Sequence, residues 1–238
     1  IVRAFRAETP GHSIEMSRVE LPMMFNLHHP LNLEVIGPEA QRDNMQSAAY
    51  RVIWGFLRKC PASKVRFCIF DPKEGGGSVR MLSNFVNKMP DSYKKAVTQM
   101  SRTEELLSCL KELEGQTLDF IRDRPDYDDL LDYNAHNPRR TEAITLLMLY
   151  DFPLNADARC LELLSSVMQK GNKCGIYVIL CRNTAVEVAS SYDHVDEKLA
   201  ELEKNCVQIE CKENGFALLP YHLSVRLIEK PDAGQLEK

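Results

Sequence analysis

Three almost unbroken apolar runs set the limits on this chain: VRFCIF at 65–70, ITLLMLY at 144–150 and IYVILC at 176–181. None alternates apolar with polar residues, as a strand with one wet face would. Their length suits strands rather than helices. A strand that is apolar on both faces needs cover on both. Parallel sheets supply it, because the crossover helices lie across the faces.

The segments between the runs read as those helices. Within 40–59, Met45, Ala48, Ala49, Val52, Ile53, Phe56 and Leu57 fall at three- and four-residue spacing, and Pro61 ends the pattern. A second helix spans 101–124, with Leu106, Leu107, Leu110, Leu113, Leu118 and Ile121 as its apolar stripe. Thr103 is its expected N-cap, without a capping box, because Leu106 stands three residues on. A shorter acidic helix follows near 127–134. The helix at 156–170 turns Leu161, Leu164, Val167 and Met168 inward and is expected to stop at Gly171. Another helix covers 195–204.

Around this frame, LEVI at 33–36 is a short strand and 81–89 a short helix or irregular cover. Residues 1–32 read as irregular apart from a short strand at 14–21. VQIEC (207–211) and GFALLP (215–220) flank Lys212-Glu213-Asn214-Gly215, a hairpin signal, and 224–229 adds a strand. The fold class is therefore α/β, with a mostly parallel central sheet and an antiparallel C-terminal edge. The expected organisation is an N-terminal extension and edge strand over 1–32, one main domain over 33–230, and the start of a linker or helix over 231–238. The chain reads as a piece of a longer polypeptide.

Bulk properties narrow the function. The net charge of −4 leaves no overall basic footprint for a nucleic-acid clamp. No apolar run reaches membrane-spanning length, and residues 1–12 lack the apolar segment of a signal peptide. The eight cysteines form no C-x-x-C pair, and several lie inside apolar strands, so reduced buried thiols in a cytoplasmic protein are expected.

In parallel α/β folds, ligands meet the C-terminal ends of the strands. Three strand ends therefore matter: 37–44, 71–78 and 151–153. The first, GPEAQRDN, has the frame of a phosphate-binding loop, G-x-x-x-x-G-K-[ST], but keeps only Gly37. Arg42 stands at the second glycine, Asp43 at the lysine and Asn44 at the hydroxyl position. Asp43 reverses the charge that would meet a triphosphate, and Glu39 adds another negative charge. Helix capping alone accounts for Asp43 and Asn44. At the third end, Asp151 is followed by Phe152, so no carboxylate stands beside it to activate a water.

The order of LEVIG, a helix, VRFCIFDPKEGG, LLMLYDFP and NKCGIYVILCRN resembles the motor domain of the FtsK/SpoIIIE DNA translocases, in the HerA-FtsK branch of RecA-like ATPases. Asp71-Pro72-Lys73 matches the family's Asp-Pro-Lys strand end. Asp151-Phe152 stands where the family has Asp-Glu. Cys174-Gly175 leads into the strand ending at Arg182-Asn183, with Asn183 at the position of the family's sensor glutamine. Tyr133-Asn134-Ala135-His136 and Tyr150-Asp151-Phe152-Pro153 match stretches in the degenerate domains of tandem family members. The resemblance spans about 14–183. It implies a RecA-like, three-layer P-loop-type fold without catalytic residues. The vestigial nucleotide loop would be Gly37, Arg42, Asp43 and Asn44; the vestigial magnesium strand Asp151 and Phe152; and Asp71, Lys73 and Asn183 the other strand-end positions.

The implied role is structural or in assembly, within a DNA-translocase-like ATPase. No cofactor is expected in this chain, with ATP and magnesium used by the parent protein. The implied partners are other domains of the same polypeptide, a ring-forming homo-oligomer and, through the parent, double-stranded DNA. The location is cytoplasmic, with a parent tethered to a membrane only through other segments. Two alternatives stay open: a protein-binding module of a secretion-type ATPase of the same superfamily, and a non-hydrolysing nucleotide binder.

Other candidates have plainer readings. His28-His29 lack ligand-spaced partners and read as loop histidines rather than a metal site. DRPDYDDLLDY (123–133) reads as a solvated acidic face, EGGGS (74–78) as a flexible loop, and Arg139-Arg140 as a surface turn. No Ser/His/Asp or Cys/His set can be assembled.

Overall fold

The computed structural model describes residues 2–7, 20–23, 32–72, 85–187, 195–213, 215–219 and 223–227. Lys73, the loop at 74–78, His28-His29, Asn214 and the segment 231–238 lie outside the described residues, as do 81–84.

The strands are β1 (Val2–Ala7), β2 (Glu20–Met23), β3 (Asn32–Gly37), β4 (Val65–Phe70), β5 (Val97–Met100), β6 (Ile144–Phe152), β7 (Ile176–Asn183), β8 (Cys206–Lys212), β9 (Gly215–Leu218) and β10 (Leu223–Leu227). The helices are α1 (Arg42–Leu57), α2 (Asp91–Lys94), α3 (Thr103–Asp123), α4 (Leu130–His136), α5 (Ala158–Lys170) and α6 (Val195–Lys204). The ten strands among the described residues form one sheet in the order β2-β1-β10-β9-β8-β3-β7-β6-β4-β5. From β8 to β5 every pairing is parallel; from β9 outward every pairing is antiparallel.

The three apolar runs become β4, β6 and β7, side by side at the centre. Alternate residues of each enter different cores, which is why neither face could be polar. Leu146, Met148, Ile179, Phe67 and Ile69 pack under α1. Leu147, Leu149, Val178, Leu180 and Phe70 pack under α3, α5 and α6. The result is three layers: helix, sheet, helices.

Several expectations need correction. Residues 1–32 are not irregular throughout. Val2–Ala7 pairs with β10, and Glu20–Met23 with β1, so the N-terminus extends the antiparallel edge. Edge strand β5 was not anticipated; within VTQM only Val97 and Met100 turn inward, too short a signal to stand out. In α3, Leu118 and Ile121 are exposed, at 50% and 38%, and Thr117 and Phe120 are buried instead. The N-cap of α3 is Arg102 rather than Thr103. That register puts Glu105 three residues on, where its carboxylate accepts the backbone N–H groups of Ser101 (2.9 Å) and Arg102 (3.2 Å). As expected, α5 ends at Lys170 and Gly171 is its C-cap, though this glycine is not left-handed. Its φ is −62°, and the chain continues as a 3-10 turn to Gly175, whose φ of +74° makes the reversal into β7. Asp157 caps α5, accepting from the Cys160 N–H at 2.7 Å.

Candidate functional site at the strand ends

The register of the parallel strands assembles the site. Gly37 at the end of β3 pairs with Asn183 at the end of β7. On the other side of β7, Phe152 of β6 pairs with Arg182, and β4 runs beside β6 up to Phe70, placing Asp71 at its tip. Gly37, Asn183, Asp151 and Asp71 thus line one crevice.

The loop after β3 is closed rather than open. Gly37 passes so near its neighbours that a Cβ would lie 3.1 Å from that of Cys211 and 3.3 Å from the Met45 sulfur. Pro38 follows, then a 3-10 turn over Glu39–Gln41, in which the Gln41 N–H donates to the Pro38 carbonyl at 2.8 Å. Helix α1 begins at once with Arg42. No residue from Gly37 to Asn44 has positive φ, so the alternating backbone that turns successive N–H groups toward a phosphate is missing here. Asp43 and Asn44 point outward and are exposed. Neither caps α1, whose N-cap position is Gln41 and has no side-chain cap bond; Asn44 instead donates to the Gln41 side chain. Asp43 still sits in the first turn, where the helix dipole favours an acid.

Arg42 points the other way, into the crevice, and is 9% exposed. Its Nε donates to both Asp151 oxygens, at 3.0 and 2.8 Å. Its Nη2 donates to Asp71 Oδ1 at 3.1 Å. Gln46, one turn along α1, with its amide oxygen turned to the guanidinium, accepts from Nη1 and Nη2 at 3.0 Å. Asn183 Nδ2 lies 3.5 Å from Asp151 Oδ1 and also donates to Glu39, while its own oxygen accepts from the Ala185 N–H at 3.0 Å. Burial opposes the Arg42 charge. The Asp151 hydrogen bonds, then the fields of Asp151, Asp71 and Glu39, outweigh it and raise the guanidinium above its ordinary pKa.

Asp151 adopts φ +51°, a left-handed conformation that a non-glycine residue takes only when its surroundings hold it. The β6–β7 register shifts at this point, which turns the carboxylate toward Arg42. Phe152 is 2% exposed and packs in the core under α3 and α5. The position after Asp151 is thus a core position in this chain.

The strand-end reading pointed to Gly37, Asp71 and Asp151, and the family resemblance to Asn183; strand register sets the four side by side. Sequence reasoning counted Arg42 only as a lost glycine and missed its two carboxylate partners. Gln46 was not singled out. The available signal was an arginine at the first helical residue after β3, in a fold where two other strands end in aspartate.

A parallel sheet between helical layers, with a strand–turn–helix unit at the head of its strand-end crevice, is the architecture of a RecA-like ATPase domain. No protein-family model and no curated protein matches the sequence. Solved structures do match in fold. EssC (ATPases 2 and 3) from Geobacillus thermodenitrificans has a TM-score of 0.59 at 14% identity, covering 88% of this chain and 36% of that one. Thermomonospora curvata EccC (ATPases 2 and 3), solved with a signal sequence peptide, has a TM-score of 0.59 at 12% identity, covering 96% and 41%. The pCW3 conjugation coupling protein TcpA, solved in monomer form with ATPγS, has a TM-score of 0.55 at 12% identity, covering 87% and 53%. At such identities the likeness establishes the fold, that of FtsK/SpoIIIE-type ATPase domains. The chain spans about a third to a half of the length of these three proteins.

Proposed function

We propose that this chain is a catalytically inactive ATPase-type domain with a structural or assembly role in a larger, multi-domain ATPase. The observation that carries this reading is Arg42. Its guanidinium lies between Asp71 and Asp151 at the strand ends, where a working domain would receive phosphates and magnesium. Supporting features are the closed backbone at Gly37–Gln41, the outward Asp43, and Phe152 locked in the core. Glu39 and Asp43 add negative charge at the mouth, which opposes a triphosphate.

The parent protein would use ATP and magnesium in other domains and form oligomers. Double-stranded DNA is its substrate on the translocase reading. A protein substrate is the second reading, favoured by the secretion ATPases among the structural neighbours, one of them solved with a signal peptide. Calorimetry of the chain with ATP and magnesium tests the inactive reading, and no binding heat is expected. Micromolar binding that disappears in Asp151→Ala would sink it. Titration of the parent with duplex DNA and with secretion-signal peptides separates the two substrates.

A further inference from the structure

Asp71 and Asp151 end neighbouring parallel strands and are 3% and 2% exposed. Two carboxylates held this close in a desolvated site repel strongly, and such a site closes only around a cation or by protonation. We infer that Arg42 is the resident cation of this site: a covalently attached guanidinium that ties the start of α1 to the ends of β4 and β6, doing what an exchangeable ion does elsewhere. The strand ends are then held closed at any nucleotide or divalent-cation concentration. This rests on the inactive reading above and names what the site does instead of binding nucleotide.

The geometry fits a guanidinium in particular. Nε meets both oxygens of Asp151, and Nη2 reaches across to Asp71 on the next strand. Gln46 covers the remaining face, accepting from both terminal nitrogens. A planar fork spreads its donors over three nitrogens and so spans two acids and an amide, whereas an ammonium offers its three donors from a single point. Asn183 and the left-handed backbone of Asp151 aim one of those acids. Because the cation belongs to the chain, dilution and chelators do not remove it.

The test is chemical rescue. Arg42→Ala leaves a guanidinium-shaped space beside the two acids. Ethylguanidinium, on the order of tens of millimolar, is expected to raise the melting temperature of Arg42→Ala by about 3–5 °C in a saturable way. The comparison is sodium chloride at equal ionic strength. Wild type and the Arg42→Ala/Asp151→Asn variant are expected not to respond. No rise in a folded Arg42→Ala, or an equal rise in wild type, overturns the inference. If Arg42→Ala does not fold, the uncharged variant Arg42→Met/Asp71→Asn/Asp151→Asn decides. Its folding supports a charge-balancing role, and its failure to fold overturns one. The two readings fail separately. ATP binding by wild type would end the inactive reading and leave the rescue standing, whereas an absent rescue without ATP binding ends only the resident-cation reading.

Discussion

Arg42 shows how a buried charge is retained: its two ion-pair partners, Asp71 and Asp151, are themselves buried, so removing one member strands the others. Arg42→Met should cost about 3–5 kcal/mol of stability, read from the urea midpoint, because Asp71 and Asp151 would lose their shared cation inside a desolvated site. A loss below about 1 kcal/mol would mean that solvent already screens the cluster. Gly175 is a second sensitive residue. Its φ is +74°, and an added Cβ would lie 2.4 Å from Leu130 Cδ2. Gly175→Ala should therefore destabilise by about 1–3 kcal/mol, combining left-handed strain with a steric clash. A stability change within experimental error would show that α4 can move aside.

At the scale of elements, the apolar stripes were legible where the helix register was. In α5, Leu161, Leu164, Val167 and Met168 are all within 1% of full burial, as their spacing requires. In α3 the stripe drifted. Counting leucines favoured Leu118 and Ile121, whereas the buried face continues Leu106, Leu110, Leu113, Thr117 and Phe120 in steps of three and four. Thr117 escapes a hydrophobic count because its hydroxyl is satisfied locally, donating to the Leu113 carbonyl at 2.8 Å. Helix ends follow equally local chemistry. Replacing the α5 cap in Asp157→Ala should cost about 1 kcal/mol, seen as a lower melting temperature with an unchanged unfolding slope. An unchanged melting temperature would show that water replaces the cap without loss.

Across the whole molecule, the parallel layout brings acidic first turns, such as those of α1 and α3, to the strand-end crevice. Basic last turns, such as those of α3 and α5, go to the opposite end. The acids at the crevice offset the positive ends of the helix dipoles that meet it. One interior acid lies away from the crevice. Glu34 of β3 is 1% exposed, accepts from Gln208 at 2.8 Å and lies 3.4 Å from Arg182, which also pairs with Glu203. Burial pushes the Glu34 carboxyl above its usual value of 4.5, and Gln208 and Arg182 offset this only in part. The folded chain then holds that proton more tightly than the unfolded one. The resulting stability is complete below the unfolded pKa and is lost as pH rises through the folded value. Melting curves of wild type and Glu34→Gln at pH steps upward from 4.5 should diverge, wild type losing stability relative to the variant. Parallel curves would refute the coupling.

The sequence by itself determined the alternation of fully buried strands with amphipathic helices. It also placed Gly37, Asp71 and Asp151 at strand ends, while Asn183 joined them only through the family resemblance. The strands and helices follow from apolar periodicity, which any short window displays. Only the tertiary structure decided that Arg42 turns inward to meet acids 29 and 109 residues away, that Phe152 belongs to the core, and that β1 and β2 complete the antiparallel edge. A charge finds its partner through strand register, and a short polar-flanked strand finds its place through the edge left open to it. Neither relation is local, so GPEAQRDN read alone looked like a loop with its chemistry missing, where the fold shows a site filled by the chain's own arginine.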